Sequence, residues 1–139
     1  MVQFIVGKKG KGKTKHLLEK VNEAVKTATG NLVYLDKNAK NMFELNNRIR
    51  LINVSEYLLD NSDEFVGFIS GIISQDHDLE GMYLDNFLIN SCLEGKDIVP
   101  TIKKLEKISD KYNISFTINI SIDQADFPEE LKDKIILAL

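Results

Sequence analysis

Eight consecutive residues, Gly7-Lys8-Lys9-Gly10-Lys11-Gly12-Lys13-Thr14, combine small residues and cations in the spacing Gly-x4-Gly-Lys-Thr. Glycines at 7, 10 and 12 permit backbone conformations closed to residues with a Cβ and let the chain approach a ligand closely. The amides of such a loop can converge on an anion as a nest. A helix beginning near Lys13 would add its free N–H groups and the positive end of its dipole. This is the phosphate-binding loop spacing, in which the lysine, Lys13, reaches the outer phosphates and the hydroxyl, on Thr14, binds a magnesium ion. Lys8, Lys9, Lys11 and Lys15 add positive charge beside it.

The flanking elements must hold that loop in place, and the pattern supplies them. An apolar run, Val2 to Val6, reads as a buried strand ahead of the loop. Behind it Leu17, Leu18, Val21, Ala24, Val25 and Ala28 recur at helical spacing, predicting a helix over 13–28 with Gly30 as its C-cap. Asn31 to Asp36 is a second strand. The 38–47 segment is polar and ambiguous, with a short helix possible around Met42, Phe43 and Leu45. Arg48 to Val54 alternates charged and apolar residues and reads as a third strand near an edge. Ser55 to Asn61 could open a short helix. A helical face follows over 63–75, capped by Ser62 or Asp63. Further on come a fourth strand over 81–87, a helix over 97–112, a fifth strand over 115–122, and a final helix over 128–137 with Pro128 in its first turn.

Strands and helices alternate with connections too long for hairpins, which predicts an α/β fold: a three-layer α-β-α sandwich around a mainly parallel five-stranded sheet. Right-handed crossovers bring the C-terminal ends of all strands to one edge, where ligands bind. The strand tips expected there are Val6, Asp36, Val54 to Glu56, Asp85-Asn86 and Asn119 to Asp123.

The remainder of the sequence sets bounds. A chain of 139 residues suits one domain, 1–139, able to bury a core without staples. The single cysteine, Cys92, excludes an intrachain disulfide and reads as a small core residue. No apolar stretch is long enough to span a membrane, and the N-terminus lacks the order of a signal peptide, so the expectation is a cytoplasmic protein. Net charge is −3 but uneven: residues 1–50 carry 11 Lys or Arg against 4 Asp or Glu, and residues 51–139 carry 7 against 17. The basic half fits a polyphosphate ligand. A nucleic-acid role is the weaker reading, because the cations lack aromatic interleaving.

A second motif supports the first. Met82-Tyr83-Leu84-Asp85 is an apolar strand ending in aspartate, the Walker B pattern, whose carboxylate would reach magnesium directly or through water. Leu32 to Asp36 fits the same template. Asp85 is preferred because another strand then lies between the loop strand and the aspartate strand. With these two motifs the chain resembles the P-loop NTPases, specifically the RecA-like branch with an additional strand between the Walker A and Walker B strands. The resemblance implies nucleoside triphosphate binding with Mg²⁺, most often ATP. It makes Lys13 the phosphate lysine, Thr14 and Asp85 the metal positions, and Asn119 or Ser121 the polar sensor position. No guanine-reading Asn-Lys-x-Asp segment is present, so ATP is the default.

Two departures from the family pattern matter. Many such ATPases carry a glutamate straight after the Walker B aspartate to align the attacking water; here the position is Asn86, which cannot take a proton at neutral pH. RecA-type members hold that glutamate at another strand end, for which Asp36 and Glu56 are the candidates. Pilus-retraction and secretion ATPases share the core but carry an N-terminal domain and further acidic and histidine motifs not found here. Residues 122–127 are similar to the last-strand segment of thymidine kinases, whose zinc-binding cysteines are absent. The expected function is Mg-ATP binding with slow or partner-stimulated hydrolysis. The alternatives are a small nucleoside or nucleotide kinase and a non-hydrolysing nucleotide sensor that docks on a protein partner. RecA-like cores often assemble into rings, so a homo-oligomer is a further expectation. Arg48 and Arg50, the only arginines, sit at a strand start, away from the active edge within one chain.

Overall fold

The computed structural model describes all of residues 1–139. Its elements follow in chain order: β1 (Val2–Val6), α1 (Lys13–Ala24), β2 (Asn31–Asp36), β3 (Ile49–Asn53), α2 (Ser62–Ser74), β4 (Leu79–Leu84), α3 (Phe87–Asn90), α4 (Val99–Tyr112), β5 (Ser115–Ile120) and β6 (Ile135–Ala138). Short 3₁₀ turns fill several connections, at Met42–Glu44, Val54–Glu56, Gln124–Asp126 and Glu129–Lys134. The strands form one sheet in the order β3-β2-β4-β5-β1-β6, and every neighbouring pair is parallel. No helix is long and apolar enough to cross a membrane.

The pleat divides the strands between two cores. Ile5, Leu32, Tyr34 and Tyr83 join Leu17, Leu18 and Val21 of α1 in one cluster of nine buried residues. The intervening positions, among them Phe4, Val33, Leu35, Met82, Leu84, Phe116 and Ile118, join Phe65, Ile69 and Ile73 of α2 and Ile102 and Leu105 of α4 in a cluster of 24. Helices therefore cover both faces of the sheet, as buried parallel strands require.

Several boundaries differ from the sequence reading. The sheet has six strands, not five, because the segment expected as a final helix over 128–137 forms a 3₁₀ turn and then β6. Its Ile135, Leu137 and Ala138 pair with Phe4, Ile5 and Val6. The free edge of β1 offers backbone partners to a β-branched run, and that pairing overrides the helical spacing. The helix after the glycine loop ends at Ala24. Beyond it the bonding is mixed: Lys26 and Thr27 donate to carbonyls three residues back, while Ala28 donates four back to Ala24, so residues 25–27 form a turn and not a continuation of the α-helix. The second-face helix α2 is capped by Asn61 and not by Ser62 or Asp63. The Asn61 side chain accepts from the Glu64 amide, while Glu64 Oε1 accepts from the Asp60 amide. The third strand is an edge strand, as its alternating pattern indicates.

Gly30 is not a helix cap. A Cβ there would lie 2.3 Å from the Asp78 carbonyl oxygen. This close approach lets the Asn31 amide donate to that same carbonyl (2.7 Å) and start β2 beside β4. We expect Gly30→Ala to lower unfolding free energy by about 1–3 kcal/mol, the usual cost of overpacking, in urea denaturation, with the slope unchanged.

Candidate functional site

Strand register sets the site. Leu35 is level with Leu84, and Leu84 with Ile118, so the next residues along, Asp36, Asp85 and Asn119, arrive together at the C-terminal edge. Each lies two residues beyond a position on the α1 side of the sheet, and so shares that face. Apolar side chains run out on this face just as the strands end, and three buried polar side chains take their place.

The loop from Gly7 to Thr14 crosses the same edge from β1. Its start is tied down by the Gly7 amide, which donates to Ile122 O (2.9 Å). Gly10 and Gly12 hold left-handed φ values of 81° and 87°, which a side chain would strain. Gly12 precedes α1 with no side-chain cap, so the first-turn amides of the helix have no side-chain acceptor. Lys13 is buried, and its ammonium donates to the carbonyls of Gly7 (2.7 Å) and Lys8 (3.0 Å), bending the loop around its own lysine. Burial lowers the Lys13 pKa from its ordinary value, partly opposed by the Asp85 carboxylate.

Asp85 is 3% exposed and collects four donors. The hydroxyls of Thr14 and Tyr34 each donate to Oδ2 at 2.7 Å. The Asn86 amide (2.9 Å) and Asn119 Nδ2 (3.1 Å) donate to Oδ1. Asn90 Nδ2 holds the Asp85 carbonyl at 2.9 Å. Asn119 must turn its NH₂ toward the carboxylate, which aims its Oδ1 elsewhere, and that buried oxygen has no partner.

Asp36 lies beside this group and is 1% exposed. Its Oδ1 accepts from the Lys37 amide and from Asn86 Nδ2, both at 2.7 Å, and its Oδ2 from Asn41 Nδ2 at 3.4 Å. Burial, and then the Asp85 carboxylate, push the Asp36 carboxyl above the ordinary range despite those donors. Asn86 sits in the left-handed region, φ 47°, which asparagine tolerates better than most residues.

These groups surround a cavity of about 310 Å³ with no hydrophobic lining residue. Lys9, Gly10, Gly12, Lys13 and Thr14 face it from the loop; Asp85, Asn86, Asn119, Ser121 and Lys37 complete it. A larger groove, about 690 Å³, runs along the flank of α1 past Lys15 and shares Thr14 with the cavity. Its walls are mainly exposed charged side chains, so the loop cavity is the better-built site.

Of the sequence-derived residues, Lys9, Gly10, Gly12, Lys13, Thr14, Asp85, Asn86, Asn119 and Ser121 line the cavity, whereas Gly7, Lys8, Lys11, Lys15, Asp36 and Glu56 do not, and Asp36 stands behind it as a partner of Asn86. Glu56 is exposed in the turn after β3, the outermost strand, and is not brought to the cavity. Lys8 and Lys11 are exposed on the loop, and Lys9 lies 3.9 Å from Glu94 in an exposed pair. Arg48 donates to Val25 O (3.3 Å) and Arg50 is exposed on β3. Tyr34, Asn41, Asn90 and Lys37 were not singled out by sequence. Tyr34 reads as a core aromatic, and only its place two residues before Asp36 hints at a hydroxyl near the edge.

Tyr34 is buried, with its pKa pushed upward first by burial and then by Asp85, so it remains a neutral donor. Removing that donor leaves a buried carboxylate short. We expect Tyr34→Phe to cost about 1.5–3 kcal/mol, the worth of a hydrogen bond to a charged group, in chemical denaturation at pH 7. For Asp36 the sign runs the other way. A carboxyl raised in the folded state disfavours folding increasingly as pH rises above the unfolded value, through the folded one. Asp36→Asn should raise the melting temperature at pH 7, and the gain should shrink toward pH 4. Melts at both pH values check this; an equal change at both would mean the effect is not electrostatic.

The chain matches no protein-family model and no curated protein sequence.

Proposed function

We propose that the chain is a Mg-ATP-binding P-loop protein of the RecA-like kind, with the three-layer fold that goes with it, and that it hydrolyses ATP slowly or when a partner stimulates it. The observation that carries this reading is the convergence of Lys13, Thr14, Asp85 and Asn119 on one cavity free of apolar side chains, with Thr14 Oγ1 2.7 Å from Asp85 Oδ2 across 71 residues of sequence. The placing of β5 between β1 and β4 also supports it, because the loop strand and the aspartate strand are then not neighbours.

The residues fit magnesium. Thr14 and Asp85 offer hard oxygen donors side by side, and magnesium commonly takes one or two protein oxygens with phosphate and water for the rest. Bound there, the ion would neutralise phosphate charge. The chain's own contribution is electrostatic: Lys13, the loop amides and the uncapped start of α1 favour the anion.

A second reading, a nucleotide sensor without turnover, has an observation in its favour. The Asn86 carboxamide is spent on Asp36, and Asp36 itself already accepts three hydrogen bonds. Neither is a free base beside the cavity.

Calorimetry of ATP with and without Mg²⁺, followed by phosphate release on the same sample, tests both. We expect micromolar affinity strengthened by Mg²⁺, and turnover below ~1 s⁻¹, under the usual enzyme range. Binding with no multiple-turnover release would favour the sensor. Lys13→Ala should abolish ATP binding; unchanged affinity in that variant would overturn the nucleotide site altogether.

A further inference from the structure

Phosphoryl transfer to water needs positive charge where the terminal phosphoryl group departs, and many NTPases supply an arginine for it. Neither arginine of this chain serves. Arg48 and Arg50 lie near the start of β3, the outermost strand, while the cavity opens at the other end of the strands, and neither lines it.

Lys37 does line it. It is the first residue after β2, and β2 stands on the far side of β5 and β4 from the loop strand β1. Three strand spacings of ~4.8 Å put about 14 Å between β1 and β2. Lys13 and Lys37 therefore address the cavity from opposite sides. The Lys37 ammonium makes no ion pair or hydrogen bond, whereas Lys13 is held by two loop carbonyls and Lys9 has Glu94 nearby. Its backbone is pinned: the Lys37 amide donates to Asp36 Oδ1, the same oxygen that Asn86 Nδ2 bonds, and Asn41 closes the turn on Oδ2. The buried carboxylate thus fixes the point from which an unpaired cation lines the cavity.

We propose that Lys37 is the cation that meets the terminal phosphoryl group from the β2 side and stabilises its charge during transfer to water. The proposal rests on the nucleotide-binding reading above. In the step concerned, a water oxygen bonds the γ-phosphorus while the bond from that phosphorus to the β,γ-bridging oxygen breaks. The bond pair leaves on ADP. One water proton stays on the released phosphate and the other passes to solvent. Lys37 exchanges no proton; it offsets negative charge spread over the equatorial oxygens.

The test uses the full chain as wild type, Lys37→Gln and Lys37→Arg. ATP affinity, phosphate release, and affinity for ADP with Mg²⁺ and aluminium fluoride, which imitates the transferring phosphoryl group, are measured on each. Removing one buried donor from a charge-stabilising site costs ~10²–10³-fold, and an exposed lysine is screened. We expect Lys37→Gln to lower phosphate release and aluminium fluoride complex formation by about 10–100-fold with ATP affinity changed less than about threefold. Lys37→Arg should retain most of both. Where basal release is too slow to follow, the aluminium fluoride complex gives the answer alone. Equal loss of ATP and aluminium fluoride affinity would overturn the proposal, reducing Lys37 to a ground-state phosphate contact; so would no change in either. Failure of the nucleotide reading is recognised separately, by a wild-type chain that binds no ATP.

Discussion

The Asp85 carboxylate is the point on which the polar C-terminal edge of the sheet depends. A charge buried to this degree costs several kcal/mol unless it is bonded. Here four donors, at about 1.5–3 kcal/mol apiece for bonds to a charged group, offset that cost. They come from α1 through Thr14, from β2 through Tyr34, from the residue after β4 through the Asn86 amide, and from β5 through Asn119. The carboxylate is therefore a junction. It fixes α1 against the sheet and holds the strand ends in register, so the glycine loop is stretched between fixed points: β1, the Ile122 carbonyl and the start of α1.

That junction works because the two periodicities agree. On the strands, positions two apart share a face, so Tyr34 and Asp36, and likewise Tyr83 and Asp85, continue the α1 side past the apolar cluster. On α1, Leu17, Leu18 and Val21 bury against that cluster and leave Thr14, one turn earlier, over the strand ends. Packing of the smaller core thus sets the distance between hydroxyl and carboxylate. The larger core, with α2 and α4, supports the same strands from behind without contributing a side chain to the cavity.

How much of this was legible in sequence follows from how local each signal is. Gly7 to Thr14 is contiguous, and its chemistry is carried by residue types that few other structures need in that order. The β4 aspartate is visible because an apolar run stops on a charge. Asp36 was visible for the same reason, although its role here is to hold the following turn. Asn119 was legible only as a polar residue at a strand tip. Tyr34 and Asn90 were not, since a tyrosine inside an apolar strand and an asparagine in a short helix have ordinary uses. Their partners are 51 and 5 residues away, and only the fold points them at Asp85. The last strand is not legible because Pro128 marks a helical first turn, and the segment behind it reads as a helix over 128–137. What decides it is the unpaired edge of β1, more than a hundred residues earlier. Glu56 failed as a site residue because strand order, which a sequence does not print, places β3 at the rim.

Two buried carboxylates at neighbouring strand ends repel one another, and the structure treats them unequally. Asp85 receives donors from every side. Asp36 receives three as well, but one is long, at 3.4 Å, and its carboxyl remains pushed toward the neutral form by burial and by Asp85 itself. An anionic ligand would add to that repulsion, and the nearby cations oppose it: Lys13 on one side, with its own charge disfavoured by burial, and Lys37 on the other. The Lys13 charge is buried and the Lys37 charge has no ion-pair partner, and each gains most when a polyanion stands between them. The site is thus electrostatically incomplete by itself, and the unpartnered Oδ1 of Asn119 makes it incomplete in hydrogen bonding too. A ligand bringing negative oxygens and an ordered water would complete both deficits at once, which is the physical reason to look for one at this edge and not along the charged flank of α1.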